Sequence, residues 1–293
     1  MRRLSFIAGL LALLFCNAHA QNNPSTTVSV LDFGPTPFAQ KTAQNLRDRL
    51  RSTVQFLIAD PDLSRSAAKG IGYSGSLNLS VSEARDLGAA LATEFYILGD
   101  AQTLRRSSSA RPVYYETYCS LFVVSARTGR LIMWDRPSFD SDKPSGAEER
   151  LARELSGQTI DRTVLAIRRA REDERNERII VPANSEPVIE EAPDDDAIAE
   201  VQGVRLPRPY RRLRPEYPEI AGRADAEGTV DVLVDVGADG EVGKVQVARW
   251  AGFGLDEITV ATVRQMHFFP AMKNGSPIAM RVLLRYNFRK PPR

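Results

Sequence analysis

Between Ile179 and Val204 the chain carries seven acidic and no basic side chains, with Pro182, Pro187 and Pro193 set among them. Such a segment lacks the apolar surface to offset its own ordering, and its prolines interrupt any long helix. It divides the 293 residues into two folding units and limits what either can become. Residues 21–178 hold 22 basic and 20 acidic side chains, a balanced globular surface. The remainder from Arg205 holds 15 basic and 10 acidic ones and opens on RLPRPYRRLRP. Pro207, Pro209 and Pro215 oppose a nucleic-acid recognition helix there, so the cluster reads as a solvated basic arm and no nucleic-acid partner is expected. As a flexible coil, residues 179–207 reach roughly 30 Å on average and under about 105 Å fully stretched.

The amino terminus sets the compartment. Met1, Arg2 and Arg3 precede an apolar run of 12 residues, Leu4 to Phe15, and Ala18-His19-Ala20 forms a small-x-small cleavage site. Residues 1–20 therefore read as a secretory signal cleaved after Ala20, since the run is well short of the roughly 20 residues that span a bilayer. Cleavage removes Cys16 and leaves Cys119 alone, so no intrachain disulfide is expected. Cys119 lies within YCSLFVV and reads as a small buried hydrophobe.

In residues 21–178, TTVSVLDF reads as a buried strand closed by Asp32, Gly34 and Pro35. Phe38, Thr42, Leu46 and Leu50 recur at helical spacing, and VQFLIAD follows as a second strand. Ser80 and Glu83 fit a capping box for a helix that turns Ala84, Leu87, Gly88 and Leu91 inward. EFYILGDAQTL, PVYYETYCSLFVVSA and RLIMWD read as consecutive strands, and a long helix from about Gly146 to about Arg178 completes the order β-α-β-α-β-β-β-α. The run Gly70-Ile71-Gly72-Tyr73-Ser74-Gly75 spells the dinucleotide fingerprint, yet a helical segment precedes it where a strand is required, so no nucleotide cofactor is expected. VSVLDF, ARDLGAALATEFYILGDAQ and SARTGRLIMWD together resemble the amino-terminal domain of TolB and the CsgG-like curli-secretion lipoproteins.

Residues 208–293 read as β-β-α-β with a three-stranded antiparallel sheet, which makes the whole chain α+β. Val230, Val232, Val234 and Val236 alternate with Asp231, Leu233 and Asp235; Asp239-Gly240 supplies the turn, and Val245 and Val247 continue the returning strand. LDEITVATVRQM is an amphipathic helix, which the FFPA run is expected to stop at Pro270. In the last strand Ile278, Met280, Val282, Leu284, Tyr286 and Phe288 face one way. Tyr217-Pro218, Gly228 with its valine strand, Asp239-Gly240, Leu255-Asp256, Phe268-x-Pro270-Ala271 and Gly275-x-Pro277 resemble the carboxyl-terminal domain of the TonB family. A departure is Trp250-Ala251-Gly252, where that family more often has serines before the glycine.

His267 stands at the flank of the helix stripe with no second histidine and no metal-ligand spacing, so it reads as a partly exposed structural residue. No catalytic, cofactor or metal site is expected. The TonB resemblance implies capture of a short receptor segment, a TonB box, as an added strand. A helical crossover places the last strand beside the first strand of the hairpin, leaving it as an edge. Asp231 and Asp235 then share a face with Arg281 and Arg285, each pair contributing roughly 0.2–1 kcal/mol. The expected partner-binding edge comprises Arg281, Val282, Leu283, Leu284, Arg285, Tyr286, Asn287 and Arg289, with Leu283 and Asn287 giving side-chain selectivity.

The leading reading is a non-enzymatic periplasmic adaptor that binds envelope proteins, among them an outer-membrane receptor segment. One alternative is a TonB-type energy transducer that keeps its amino-terminal anchor in the inner membrane and meets the ExbB/ExbD motor. Another is a periplasmic hydrolase, which predicts an acid, base or nucleophile cluster.

Overall fold

The computed structural model describes residues 25–53, 55–179, 189–193, 199, 201 and 203–290; the expected signal peptide lies outside them. The chain is an α+β protein. Its first unit runs β1 (Thr26–Val30), α1 (Pro37–Arg51), β2 (Phe56–Ile58), α2 (Pro61–Gly70), β3 (Leu79–Ser80), α3 (Val81–Leu91), β4 (Phe95–Arg106), β5 (Tyr114–Ser125), β6 (Leu131–Asp135), β7 (Ser138–Ser141), α4 (Pro144–Ser156) and α5 (Gln158–Ile179). There follow β8 (Glu190–Glu191), β9 (Val204–Arg205), β10 (Arg208–Pro209), α6 (Glu219–Arg223), β11 (Gly228–Val236), β12 (Val242–Trp250), α7 (Leu255–Val263), β13 (Phe268–Phe269), β14 (Ala271–Lys273), β15 (Ser276–Ile278) and β16 (Met280–Phe288).

Local signals start the helices. Thr36 caps α1 by accepting from the Ala39 N–H, and Pro37 occupies its first turn. Ser80 and Glu83 form the reciprocal capping box of α3. The expected order is extended at α2, where the Asp60 carboxylate accepts from the N–H groups of Asp62 and Leu63 and Pro61 fills the first position. The helix expected over about 146–178 is divided, because Gly157 leaves the helical region after α4 and α5 begins at Gln158. The glycine run at 70–75 begins on the last residue of α2 rather than after a strand, so it opens no phosphate-binding turn.

Strand alternation assigns the core of the first unit. Its sheet has the order β2-β1-β4-β5-β6, with β7 also on β5. Phe95, Ile97, Leu121 and Val123 point to one face, where α1, α4 and α5 pack with Leu46, Leu50, Leu151, Leu155 and Ile167. Tyr96, Leu98, Phe122 and Val124 point to the other, against Ala84, Leu87 and Leu91 of α3.

In the second unit β12, β11 and β16 form the expected antiparallel three-stranded sheet, which β3 and β8 widen to five strands. Val230, Val232, Val234 and Val236 are at most 1% exposed, packed with Leu255, Val263 and Met266. Gly240 turns the β11–β12 hairpin at φ +84°, and a Cβ there would collide with the Phe268 carbonyl. Helix α7 ends at Val263, earlier than Pro270; Phe268 and Phe269 instead pair with Arg208 and Pro209, which seats the basic arm. Asn274 and Gly275 turn β14 into β15 before the last strand begins.

The two units are joined through Trp250, 2% exposed, which stacks on Phe122 at 5.9 Å between ring centroids and donates from Nε1 to the Gly129 carbonyl at 3.0 Å. Beside it, the Asn78 side-chain amide donates to the Trp250 and Thr229 carbonyls at 2.6 and 2.8 Å and accepts from the Thr229 N–H at 3.0 Å. Within the expected linker, 179–207, β8 pairs with β16 and β9 with β14, so these two strands are seated on the second unit. Residues 180–188, 194–198, 200 and 202 of it lie outside the described residues.

Candidate functional site

The site is built on β16, which pairs with β11 from Met280 opposite Val236 to Phe288 opposite Gly228. This register sets Arg281 opposite Asp235 and Arg285 opposite Asp231, as the charge pattern predicts. Both pairs are bidentate. Arg281 Nε and Nη2 donate to Asp235 at 2.5 and 2.9 Å, and Arg285 Nε and Nη2 donate to Asp231 at 2.7 and 2.9 Å. The Asp231 carboxylate raises the Arg285 guanidinium pKa through its hydrogen bonds and charge. Arg249 also approaches Asp231, at 3.6 Å, and bonds Glu83 on α3 at 3.1 Å.

Two hydrogen bonds give the direction of the backbone groups. The Ala192 N–H donates to the Arg281 carbonyl at 2.8 Å, and Arg212 Nη2 donates to the Arg285 carbonyl at 3.4 Å. Since alternate residues of a strand direct their polar groups to opposite sides, Arg281, Leu283, Arg285 and Asn287 point outward, while Val282, Leu284 and Tyr286 serve the ladder with β11. Side chains divide at the same residues, between the two faces of the sheet. Val282 and Tyr286 are buried in the core with Leu284 packed beside them, and Leu283 is 52% exposed. Asn287 is exposed and accepts from the Thr229 hydroxyl at 2.8 Å; Arg289 is exposed beyond the strand end.

Part of the edge is occupied. Strand β8 runs parallel to β16, with Glu190 opposite Met280 and Glu191 opposite Arg281. Lys273 Nζ donates to both Glu190 carboxylate oxygens at 2.8 and 2.9 Å. From Val282 to Phe288 no strand covers the outer side among the described residues. Sequence reasoning missed both β8 and Arg212, although an acidic tether and a basic arm flanking the same unit were visible signals.

His267 and Cys119 lie away from this edge. His267 Nδ1 contacts Glu241 Oε1 at 3.0 Å on the surface. Cys119 is fully buried, and burial pushes its thiol well above the ordinary range. Among the described residues no group of three His, Cys, Asp or Glu side chains is arranged to hold a metal ion, and no helix is long and apolar enough to cross a membrane.

Residues 214–289 match the family model of the Gram-negative bacterial TonB protein C-terminal. No curated protein matches the chain. Among solved structures, the Pseudomonas aeruginosa TonB CTD is similar at 23% identity over 34% of this chain and 93% of that one, with a TM-score of 0.26. The hypothetical protein CT253 from Chlamydia trachomatis is similar at 13% identity over 46% of this chain and 96% of that one, TM-score 0.35. Lipoprotein GNA1162 from Neisseria meningitidis is similar at 10% identity over 47% of this chain and 99% of that one, TM-score 0.33.

Within residues 214–289, two positions on which the TonB resemblance rests have local duties. The Tyr217 hydroxyl donates into the α6 turn, lying 2.5 Å from the Ala226 carbonyl and 3.2 Å from that of Ala221. Asp256 accepts from the Ala251 and Gly252 N–H groups at 2.8 and 2.9 Å, fixing the turn that follows Trp250. Burial pushes the Asp256 carboxyl up to about 7, against these donors. The folded chain then holds this proton more tightly than the unfolded one, whose carboxyl titrates near 3.9. Stability from this group should therefore fall as pH rises from about 4 to about 7 and stay level above, by on the order of 4 kcal/mol at most. Urea titrations across that range should show a slope that Asp256→Asn removes; an equal slope in the variant would assign it elsewhere.

Proposed function

We propose that the protein is a non-enzymatic adaptor of the Gram-negative envelope, exported to the periplasm, whose TonB-type segment takes up an extended segment of an envelope or outer-membrane protein along β16. The observation that carries this reading is β8. The edge already holds a strand, attached through the Arg281 carbonyl and through Lys273 on Glu190. An edge that receives its own tether at one end and presents the outward backbone groups of Leu283, Arg285 and Asn287 beyond it is suited to strand addition. Backbone pairing supplies affinity, while Leu283 and Asn287 supply selectivity. Arg281 and Arg285 guard the edge against chance pairing.

The first unit, whose sequence motifs resemble TolB amino-terminal and CsgG-like domains, docks a second envelope protein. A non-enzymatic role is supported by the inaccessible Cys119 and by a surface His267 engaged with Glu241. A photo-crosslinking residue at Leu283 of the full chain should give a discrete adduct with an envelope protein in intact Gram-negative cells. The same group at Lys41, exposed on α1, should give none. Equal labelling from both positions, or none from Leu283, would overturn the reading.

A further inference from the structure

Both large sheets end at one cavity. The six-stranded sheet stops at β6, and β3 pairs only with Arg249 and Trp250, so among the described residues β12 is uncovered from Val242 to Ala248. Between these ends lies a cavity of about 1360 Å³, walled by β6 and α5 of the first unit and by β12 and α7 of the second. Seven residues of free edge extend roughly 23 Å at strand rise.

The direction of the β12 backbone follows from that of β16. On β11 the residues opposite Val282 and Leu284 are Val234 and Val232, so these serve β16 and the intervening Leu233 serves β12. Leu233 lies opposite Gln246, which therefore turns toward β11. Its neighbours Val245 and Val247 direct their N–H and C=O groups toward the cavity.

Charge on the walls is one-sided. Seven Arg and Lys side chains line the cavity against three carboxylates. The carboxylates are engaged: Glu177 by Arg127 and Arg130, Asp256 by backbone N–H groups, and Glu257 by the Trp134 indole at 3.4 Å. Arg85 on α3, Arg169 on α5 and Arg264 beyond α7 are exposed and have no carboxylate partner among the described residues. Leu165, 46% exposed, adds an apolar surface between them.

A free strand edge needs main-chain donors and acceptors in series, which a compact anion does not offer, and cations on three elements call for several spaced negative charges. We propose that this cavity receives an extended acidic segment of a partner protein, about seven residues long, added as a strand to β12 with its carboxylates toward Arg85, Arg169 and Arg264. This site flanks β11 on the side opposite β16 and does not depend on the reading given above.

The probe is a fluorescent peptide of alternating valine and glutamate, titrated into the full chain and followed by anisotropy and amide exchange. Binding should weaken with salt and slow exchange at Val245 and Val247. Arg169→Glu with Arg264→Glu, both exposed and expected to leave the melting temperature unchanged, should lower affinity roughly tenfold or more. Leu283→Pro should leave it unchanged. The proposal is overturned if the peptide does not bind, if the valine–glutamine analogue binds as tightly, or if protection appears at Leu283 and binding is lost in Leu283→Pro. That last pattern would support the β16 edge instead.

Discussion

Replacing Trp250 by alanine is expected to lower the free energy of unfolding by about 3–5 kcal/mol and to loosen the two units from one another. The side chain is 2% exposed, its ring lies on Phe122, and Phe253 meets the same Phe122 ring edge-on at 5.5 Å. Truncation deletes the largest fully buried side chain among the described residues and leaves a void beside tightly packed backbone, since a Cβ on Gly252, at φ +73°, would lie only 2.5 Å from the Phe122 ring. It also strands the buried Gly129 carbonyl that accepts from the indole. Denaturant titration should give a lower midpoint, and exchange at Thr229, held by Asn78, should accelerate. A loss under about 1 kcal/mol with Thr229 protection intact would mean that the contact between units is incidental.

Trp250 also marks where reading the sequence stopped short. The valine alternation in β11 and the Asp and Arg positions placed β16 beside β11 with those charges on one face, a pairing a one-residue shift would break, while the register itself came from the fold. The departure at Trp250-Ala251-Gly252 was visible as well, but nothing local said that it faces another unit, since a stacking partner 128 positions earlier leaves no trace in periodicity. The same holds for β8, β9, β10 and β13. Each is two residues long, below the window in which alternation registers, and exists only through its neighbour. Helix α2 was legible through Asp60-Pro61, a cap and first-turn signal that the expected order passed over. The division at Gly157 was legible less clearly, because a single glycine in a helical pattern is usually tolerated. For the site, the edge itself followed from topology, whereas its partial occupation by an acidic tether required the fold.

Val282→Pro and Leu283→Pro, one residue apart in β16, are expected to differ in kind. At Val282 the N–H belongs to the ladder opposite Val234, and the side chain is 9% exposed within the core. Proline there removes a buried hydrogen bond, sets its ring against β11 and deletes packed apolar surface, so a loss of about 3 kcal/mol or more is expected. At Leu283 the N–H points outward, and the 52% exposed side chain contributes little packing. An edge position tolerates proline because no ladder hydrogen bond is lost there, although the ring draws φ toward about −65°, so the cost should stay well below that at Val282. Thermal melts, with the Val230–Val236 amides followed by NMR, would separate the two. Val282→Pro should melt far lower and lose those amides, whereas Leu283→Pro should keep them and lose only strand addition at the edge. If both variants unfold, the outward direction deduced from the Ala192 and Arg212 hydrogen bonds is wrong, and β16 has no free ladder to offer. If Leu283→Pro folds and still binds the segment captured by wild type with unchanged affinity, the segment docks elsewhere. The contrast is informative because a merely destabilising substitution would not depend on the parity of the position, while a strand edge must.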